Sequence, residues 1–415
     1  MGHRPASTTG RRKRLNMLIG ILAGEPSGDR LGAGLMRSLR ELKPDVRFVG
    51  IGGPLMVAEG LDCLVPMECL AVNGFIEPVK RLPDLVRILR LLLDRFGQEP
   101  PAAFVGVDFN VFNFLLERLL KRRGLATAHY VSPSVYAWRR GRVRRIARST
   151  DLLLTLYPFE PAFYADSTVR AVFVGHPLAD EIEPRMSDSA HQAAARAELE
   201  IGAQGTVVAV LPGSRSSEVK LMAPGFLAAC EQVRAELGEV QFVVPCLRPV
   251  IRSAMETLLQ AHPDLPVALY DGNARLALTA CDAALVKSGT STLEAMLLHR
   301  PMVVSYRLGE LTYQVVSRLL RTRFVALPNF LAGEALVPEL LQHEATPEAL
   351  AENLLAELYR AGEDGEYLSR FEALHATLRR GANGRAAAAV LEWLGEDHGD
   401  AASPSVRPPN TPSLP

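Results

Sequence analysis

Ala283-Ala284-Leu285-Val286-Lys287-Ser288-Gly289-Thr290-Ser291-Thr292-Leu293-Glu294 is the stretch that decides the fold. Its first four residues read as a buried strand, Lys287 to Ser291 as a turn of small residues, and the run from Leu293 to Leu298 as a helix. A strand, a turn and a helix start in that order bring free backbone N–H groups and the positive end of a helix dipole to one point, which is an anion site. Glu294 lies one turn into the helix, where a carboxylate can accept hydrogen bonds from a ribose diol. Together these features point to a nucleoside diphosphate. A Ser/Thr-capped helix behind a buried strand is the other reading of the same residues.

Outward from that unit, short apolar runs alternate with longer amphipathic ones, the pattern of a parallel sheet covered by helices on both faces. Strands are expected at Leu18–Ala23, Arg47–Gly50, Ala103–Val107, Thr127–Val131, Leu152–Leu156 and Ala171–Val174, with helices at Leu31–Leu42, Leu85–Phe96, Phe112–Arg122 and Arg142–Ala147. After a polar stretch, Asp180 to Gln192, a second series runs through Val207–Leu211, Gln241–Val244, Val267–Leu269, Ala283–Val286 and Met302–Ser305. Helices without intervening strands follow from Pro347 to Leu394. The fold class is therefore α/β, two Rossmann-like doubly wound domains. Binding loops of such domains sit at strand ends, so the two halves are expected to face a central cleft.

The chain has 415 residues, 48% hydrophobic, with a formal net charge of zero, so nothing in the overall charge favours nucleic acid. Five scattered cysteines with no CxxC pair argue against a disulfide framework or a zinc site, and a reduced cytoplasmic compartment fits them. No run approaches the roughly 18 apolar residues of a spanning helix. The apolar run after Arg11-Arg12-Lys13-Arg14 is short and reads as a first buried strand, not a signal peptide. From about Gly399 the Pro-rich tail is expected to be disordered.

The loop after the first strand, Gly24-Glu25-Pro26-Ser27-Gly28-Asp29, is not GxGxxG, and no GxxxxGK[ST] occurs, which disfavours a dinucleotide cofactor and a P-loop nucleotide. In Leu211-Pro212-Gly213-Ser214-Arg215-Ser216-Ser217-Glu218 a guanidinium stands beside a Gly-Ser turn, suited to grip a phosphate in fork geometry. With the Gly289 loop it would clamp one diphosphate. Asp108 follows a strand and is read either as an acid/base group or as the cap of the next helix. The arginine cluster from Arg139 to Arg148 reads either as a site for anionic head groups or a sugar phosphate or as a solvated basic helix face, and the apolar–basic stretch from Leu82 to Phe96 either as an interfacial membrane contact or as a helix buried against the sheet. His176, in Gly175-His176-Pro177, has no partner at metal-ligand spacing, so no metal is expected.

AGEPSGDRLGAGLMRSLR (23–40), HYVSPSVYAWR (129–139), LYPFE (156–160), FVGHPLAD (173–180), LPGSRSSEV (211–219), SGTSTLEAML (288–297), PMVVSYR (301–307) and LPNFLAGEALVPELLQ (327–342) resemble the lipid-A-disaccharide synthase family of GT-B glycosyltransferases. The resemblance spans about residues 16–395. It implies UDP-2,3-diacylglucosamine as donor, 2,3-diacylglucosamine 1-phosphate as acceptor, a β-1,6 product and release of UDP, with no cofactor or metal. It also implies a cytoplasmic protein held peripherally at the inner membrane, and a homodimer exchanging its C-terminal parts. Domains are expected at 16–178 (acceptor) and 179–380 (UDP-sugar), with a basic flexible 1–15, a helix crossing between domains at 381–396 and a tail at 397–415.

On the UDP-sugar side the resemblance places Ser214, Arg215, Ser288, Gly289, Thr290, Glu294 and Asn329, and on the acceptor side Glu25, Ser27 and Asp29. The family pattern Asp-x-Pro-Asp-Phe-Asn is here Asp108-Phe109-Asn110-Val111-Phe112-Asn113, so valine stands where the family has its second aspartate. Asp108 is then the expected base, with Glu25 in reserve. A GT-B enzyme for another acceptor, and a UDP-sugar-binding relative without turnover, remain the alternatives.

Overall fold

A computed structural model describes residues 17–70, 77–133, 141–202, 204–309, 313 and 323–395. The first sheet contains β1 (Leu18–Ala23), β2 (Arg47–Ile51), β3 (Leu61–Cys63), β4 (Ala103–Val107), β5 (Thr127–Tyr130), β6 (Leu152–Thr155) and β7 (Arg170–Phe173). Their order is β3-β2-β1-β4-β5-β6-β7. The second sheet contains β8 (Thr206–Leu211), β9 (Val240–Cys246), β10 (Val267–Asp271), β11 (Ala283–Lys287), β12 (Met302–Tyr306) and β13 (Glu339–Leu341), ordered β10-β9-β8-β11-β12-β13. In each sheet the chain steps outward in one direction, returns, and steps outward in the other. The switch points fall between β1 and β4 and between β8 and β11, where α/β sheets bind ligands.

The central strands are apolar along their interior positions because both faces are covered. In β8, Val207, Ala209 and Leu211 join one core with Met296, Tyr367 and Phe371. Val208 and Val210 point the other way, into a core with Phe226, Met255 and Leu354. This alternation is what a period of two requires of a doubly wound sheet.

By compactness the described residues divide into two units, those within 17–130, 149–152 and 383–395, and those within 131–148 and 153–382. In the first unit, Ile88, Leu92, Leu93 and Phe96 of the helix Glu77–Gln98 pack into the core with Leu22 and Phe104. Leu82 (58%) and Leu91 (43%) on the same helix stay exposed.

The structure departs from the sequence reading in particular places. The first helix begins at Pro26, not Leu31: proline fits the first helical position, so most of the expected loop is the first helical turn. The edge strands β3 and β13, three residues each, have no counterpart among the strands expected from the sequence. Residues 1–15 and 397–415, and the part of the aromatic–basic motif at 134–140, lie outside the described residues.

Candidate functional site

In the second unit, β8 and β11 pair in parallel with Leu211 opposite Val286, so the turns that follow them leave the sheet side by side. The first turn passes through Gly213 at φ 135°, where a Cβ would meet Glu218 Cβ at 2.6 Å, so this position requires glycine. The helix Ser216–Leu237 then starts with Arg215 as its N-cap. Glu218 Oε2 accepts from the backbone N–H of Ser214 (3.1 Å) and Arg215 (3.3 Å), while Lys287 Nζ donates to Glu218 Oε1 at 3.1 Å. One carboxylate therefore ties the end of β11 to the turn after β8.

Burial pushes the Glu218 carboxyl up, but the Lys287 ammonium and the two amides outweigh it and hold it below the usual carboxylate range. Lys287 also lies over the Tyr306 ring, 4.8 Å from its centroid. The Arg215 side chain is 78% exposed, with its guanidinium 3.7 Å from Glu218.

After β11 the backbone of Ser288 donates to the Ser305 carbonyl (2.9 Å) and its hydroxyl to the Val325 carbonyl (3.2 Å). Gly289 caps the helix Thr290–Leu297 in extended conformation, and Gly289 and Thr290 are both exposed. Glu294 is largely buried, 4.0 Å from Arg275. Asn329 is 1% exposed. Its amide donates to Val337 O (2.9 Å) and Glu339 Oε1 (2.7 Å) and accepts from Val337 N (2.8 Å), so it clips residues 326–339 into a closed turn. The structure thus brings Ser214, Arg215, Ser288, Gly289 and Thr290 to one switch point and buries Asn329 behind them.

In the first unit, the loops after β1 and β4 flank the other switch point, with Ala23 opposite Val107. Glu25 is the N-cap of the helix Pro26–Leu42, and Glu25 and Ser27 are exposed. Asp29 is 3% exposed. Its carboxylate accepts from the backbone N–H of Gly53 (2.9 Å), Leu55 (3.0 Å) and Met56 (3.0 Å), holding the start of the helix Pro54–Ala58. Asp108 and Phe109 both adopt positive φ, 49° and 46°, a conformation that costs non-glycine residues energy.

That corner delays the next helix to Asn110, and its N-cap is Phe109, without a side-chain cap. The capping reading of Asp108 is therefore not what the structure holds: the half-buried carboxylate accepts from Asn110 Nδ2 at 3.3 Å. Asn113 Nδ2 donates to the Asp108 carbonyl at 2.8 Å and pins the corner. Val111 is 90% exposed.

Two features escaped the sequence reading. The Glu218–Lys287 bridge needs knowledge that β8 and β11 are neighbours, although the N-cap-plus-three spacing of Glu218 was visible. A second cluster lies around Glu160, which is 2% exposed and accepts from Leu156 N (3.0 Å) and Tyr157 N (2.9 Å). Burial pushes its carboxyl up to about 8. His176 caps the helix Pro177–Glu181 through Nδ1, and burial holds it down at about 4, hence neutral. Among the described residues there is no group of three or more His, Cys, Asp or Glu placed to hold a metal.

Comparison with known proteins fits this geometry. The fold is similar to that of the glycotransferase of kitacinnamycin (TM-score 0.59, 16% identity, 92% of this chain and 100% of that one). It is also similar to that of the UDP-GlcNAc 2-epimerase from Neisseria meningitidis bound to UDP-GlcNAc (TM-score 0.57, 12% identity, 92% and 100%). At such identities these establish the fold alone. Sequence relatives are much nearer. Lipid-A-disaccharide synthase of Azotobacter vinelandii is 50% identical over 376 residues, covering 90% of this chain and 97% of that protein. The one from Pseudomonas syringae pv. tomato is 50% identical over 378 residues, covering 91% and 97%. Residues 19–390 match the family described as Lipid-A-disaccharide synthetase. The chain therefore belongs to the lipid-A-disaccharide synthase family and is a hexosyltransferase of lipid A biosynthesis.

Proposed function

We propose that the chain transfers the 2,3-diacylglucosaminyl group of UDP-2,3-diacylglucosamine to the 6-hydroxyl of 2,3-diacylglucosamine 1-phosphate, with inversion to a β-1,6 bond and release of UDP. The observation that carries this is the joining of the Ser214–Arg215 and Ser288–Thr290 turns at one switch point by the Glu218–Lys287 bridge. In the reaction the acceptor oxygen bonds to the anomeric carbon as that carbon's bond to the diphosphate oxygen breaks. The electron pair of the broken bond leaves on UDP, and the hydroxyl proton passes to a carboxylate. Arg215, Lys287 and the amides that open the helix Thr290–Leu297 meet the developing charge. Preorganised donors of this kind are worth about 3–4 kcal/mol each in the transition state.

Asp108 is the proposed base and Glu25 its reserve, with Ser27 and Asp29 on the acceptor side; Glu294 takes the ribose, and Asn329 supports the donor side. The exposed Leu82 and Leu91 beside Arg87 and Arg90 support peripheral contact with the inner membrane, and no described helix is long and apolar enough to cross one. Five free cysteines support a reducing compartment. A homodimer exchanging C-terminal parts completes the reading.

A second reading has one observation in its favour. Val111, at the family's second aspartate, cannot accept a proton, and a UDP-sugar-binding protein without turnover would explain it. The test is a UDP-release assay with both acylated sugars, on the wild type and on Val111→Asp. Release that requires both substrates supports the transferase; binding of UDP in calorimetry with no release supports the second reading.

A further inference from the structure

Ser132, Glu160 and Tyr164 form a buried polar cluster that the reaction as described does not use. It begins at Val131, a β-branched residue at φ 86°, a strained conformation held by a hydrogen bond from its N–H to Leu154 O at 3.0 Å. Such strain persists only where the surroundings over-determine it, and it gathers at functional sites. The next residue, Ser132, is 6% exposed, and its hydroxyl lies 2.9 Å from that of Tyr164, itself 1% exposed. The same hydroxyl favours the ionised form of the Glu160 carboxyl, although burial outweighs it. Through its other contacts Glu160 caps the amides of Leu156 and Tyr157 and so sets the turn 156–159.

That turn presents two stacked rings, Tyr157 and Phe159, with centroids 5.6 Å apart and planes 5° apart. Phe159 stacks in turn on Phe330 at 6.0 Å, in the helix Leu327–Ala332 that carries Asn329. Residues just before this helix reach the donor grip: Ser288 Oγ donates to the Val325 carbonyl, while Glu339 Oε2 accepts from Val325 N at 2.8 Å. A continuous set of contacts therefore runs from the Glu160 carboxyl through Phe159 and Phe330 to the turn after β11. We infer that Glu160 is a positioning residue for the UDP grip, fastening the turn whose Phe159 ring buttresses the segment that holds Ser288.

This rests on the donor reading of the Ser288–Thr290 turn. The protonated state fits the role: burial keeps the carboxyl neutral up to about pH 8, outweighing the amides of Tyr157 and Leu156 and the Ser132 hydroxyl, which favour the ionised form. Near Tyr157, His176 is neutral and supplies no cation.

The experiment is calorimetric titration of UDP into the folded wild type, Glu160→Gln and Phe159→Ala, at about pH 7 and about pH 9, on either side of the Glu160 transition. The wild type is expected to lose affinity several-fold at the higher pH, Glu160→Gln to show no such loss, and Phe159→Ala to bind several-fold more weakly at both. A double-mutant cycle of Phe159→Ala with Ser288→Ala should be non-additive. UDP binding indifferent to all three changes overturns the inference alone. A wild type that binds no UDP overturns the donor reading and the inference with it.

Discussion

Arg215→Ala separates catalysis from stability at a single side chain. The guanidinium is 78% exposed and lies 3.7 Å from Glu218, a carboxylate that Lys287 and two amides already satisfy. An exposed pair of this kind contributes about 0–1 kcal/mol, so the variant should melt within a few degrees of the wild type. The turn itself should survive, because Glu218 grips backbone amides that alanine retains. The loss should appear in turnover instead. If the guanidinium meets charge that grows on the leaving diphosphate, its removal costs about 3–4 kcal/mol of transition-state stabilisation, roughly 10²–10³-fold in rate. The assay is initial-rate release of UDP with both acylated sugars saturating and then limiting. A fall in kcat and kcat/KM together marks an interaction made in the transition state, whereas a rise in KM alone marks uniform binding. A kcat/KM within threefold of the wild type, at unchanged melting temperature, would refute the assignment of the phosphate grip.

Gly213→Ala puts a Cβ 2.6 Å from that of Glu218 at φ 135°, so it should cost about 1–3 kcal/mol and weaken UDP binding as the Glu218–Lys287 bridge shifts; chemical denaturation and calorimetry read the two effects. Asp108→Asn should lower kcat by about 10²-fold or more while leaving KM for UDP-diacylglucosamine nearly unchanged, and full activity would move the base elsewhere. Acid should destabilise the fold through His176 and His299, both held by burial at about 4 against 6.5 when free. Their neutral forms support the native state fully above pH 6.5, and that support is lost as the pH falls towards about 4, on the order of 3 kcal/mol each at most. Denaturant midpoints measured across that range should fall, and His299→Gln should flatten the slope.

The sequence carried the strands at the centre of each sheet almost to the residue, as at Ala103–Val107, because a parallel strand covered on both faces must be apolar throughout. Edge strands carry no such signature. β13 opens with Glu339, whose carboxylate serves Asn329 and two amides, and nothing in Glu-Leu-Leu announces a strand. At the sites, the loops were legible but the direction of individual side chains was not. Asp29 and Asn329 stand in motifs that read as binding loops, yet each has its polar atoms occupied by backbone from 8 to 27 residues away. Lys287 lay in plain view in the deciding stretch without a role, because its partner 69 residues earlier becomes a neighbour only once β8 and β11 are paired.

The corner after β4 bears on why valine at position 111 is compatible with catalysis. Two successive residues with positive φ push the helix start to Asn110, which makes position 111 the second residue of the helix, pointing into solvent. A carboxylate there would meet the positive end of the helix dipole and unpaired amides, both of which favour its ionised form and lower its proton affinity. Such a group is a good electrostatic element and a weak base. Asp108 lies outside the helix, half-buried, and accepts from the neutral side-chain amide of Asn110 at 3.3 Å. Val111→Asp should therefore alter substrate affinity or the salt dependence of the rate, and leave the base-dependent limb of the pH–rate profile unmoved. A limb that follows the new carboxylate would transfer the role of base to position 111.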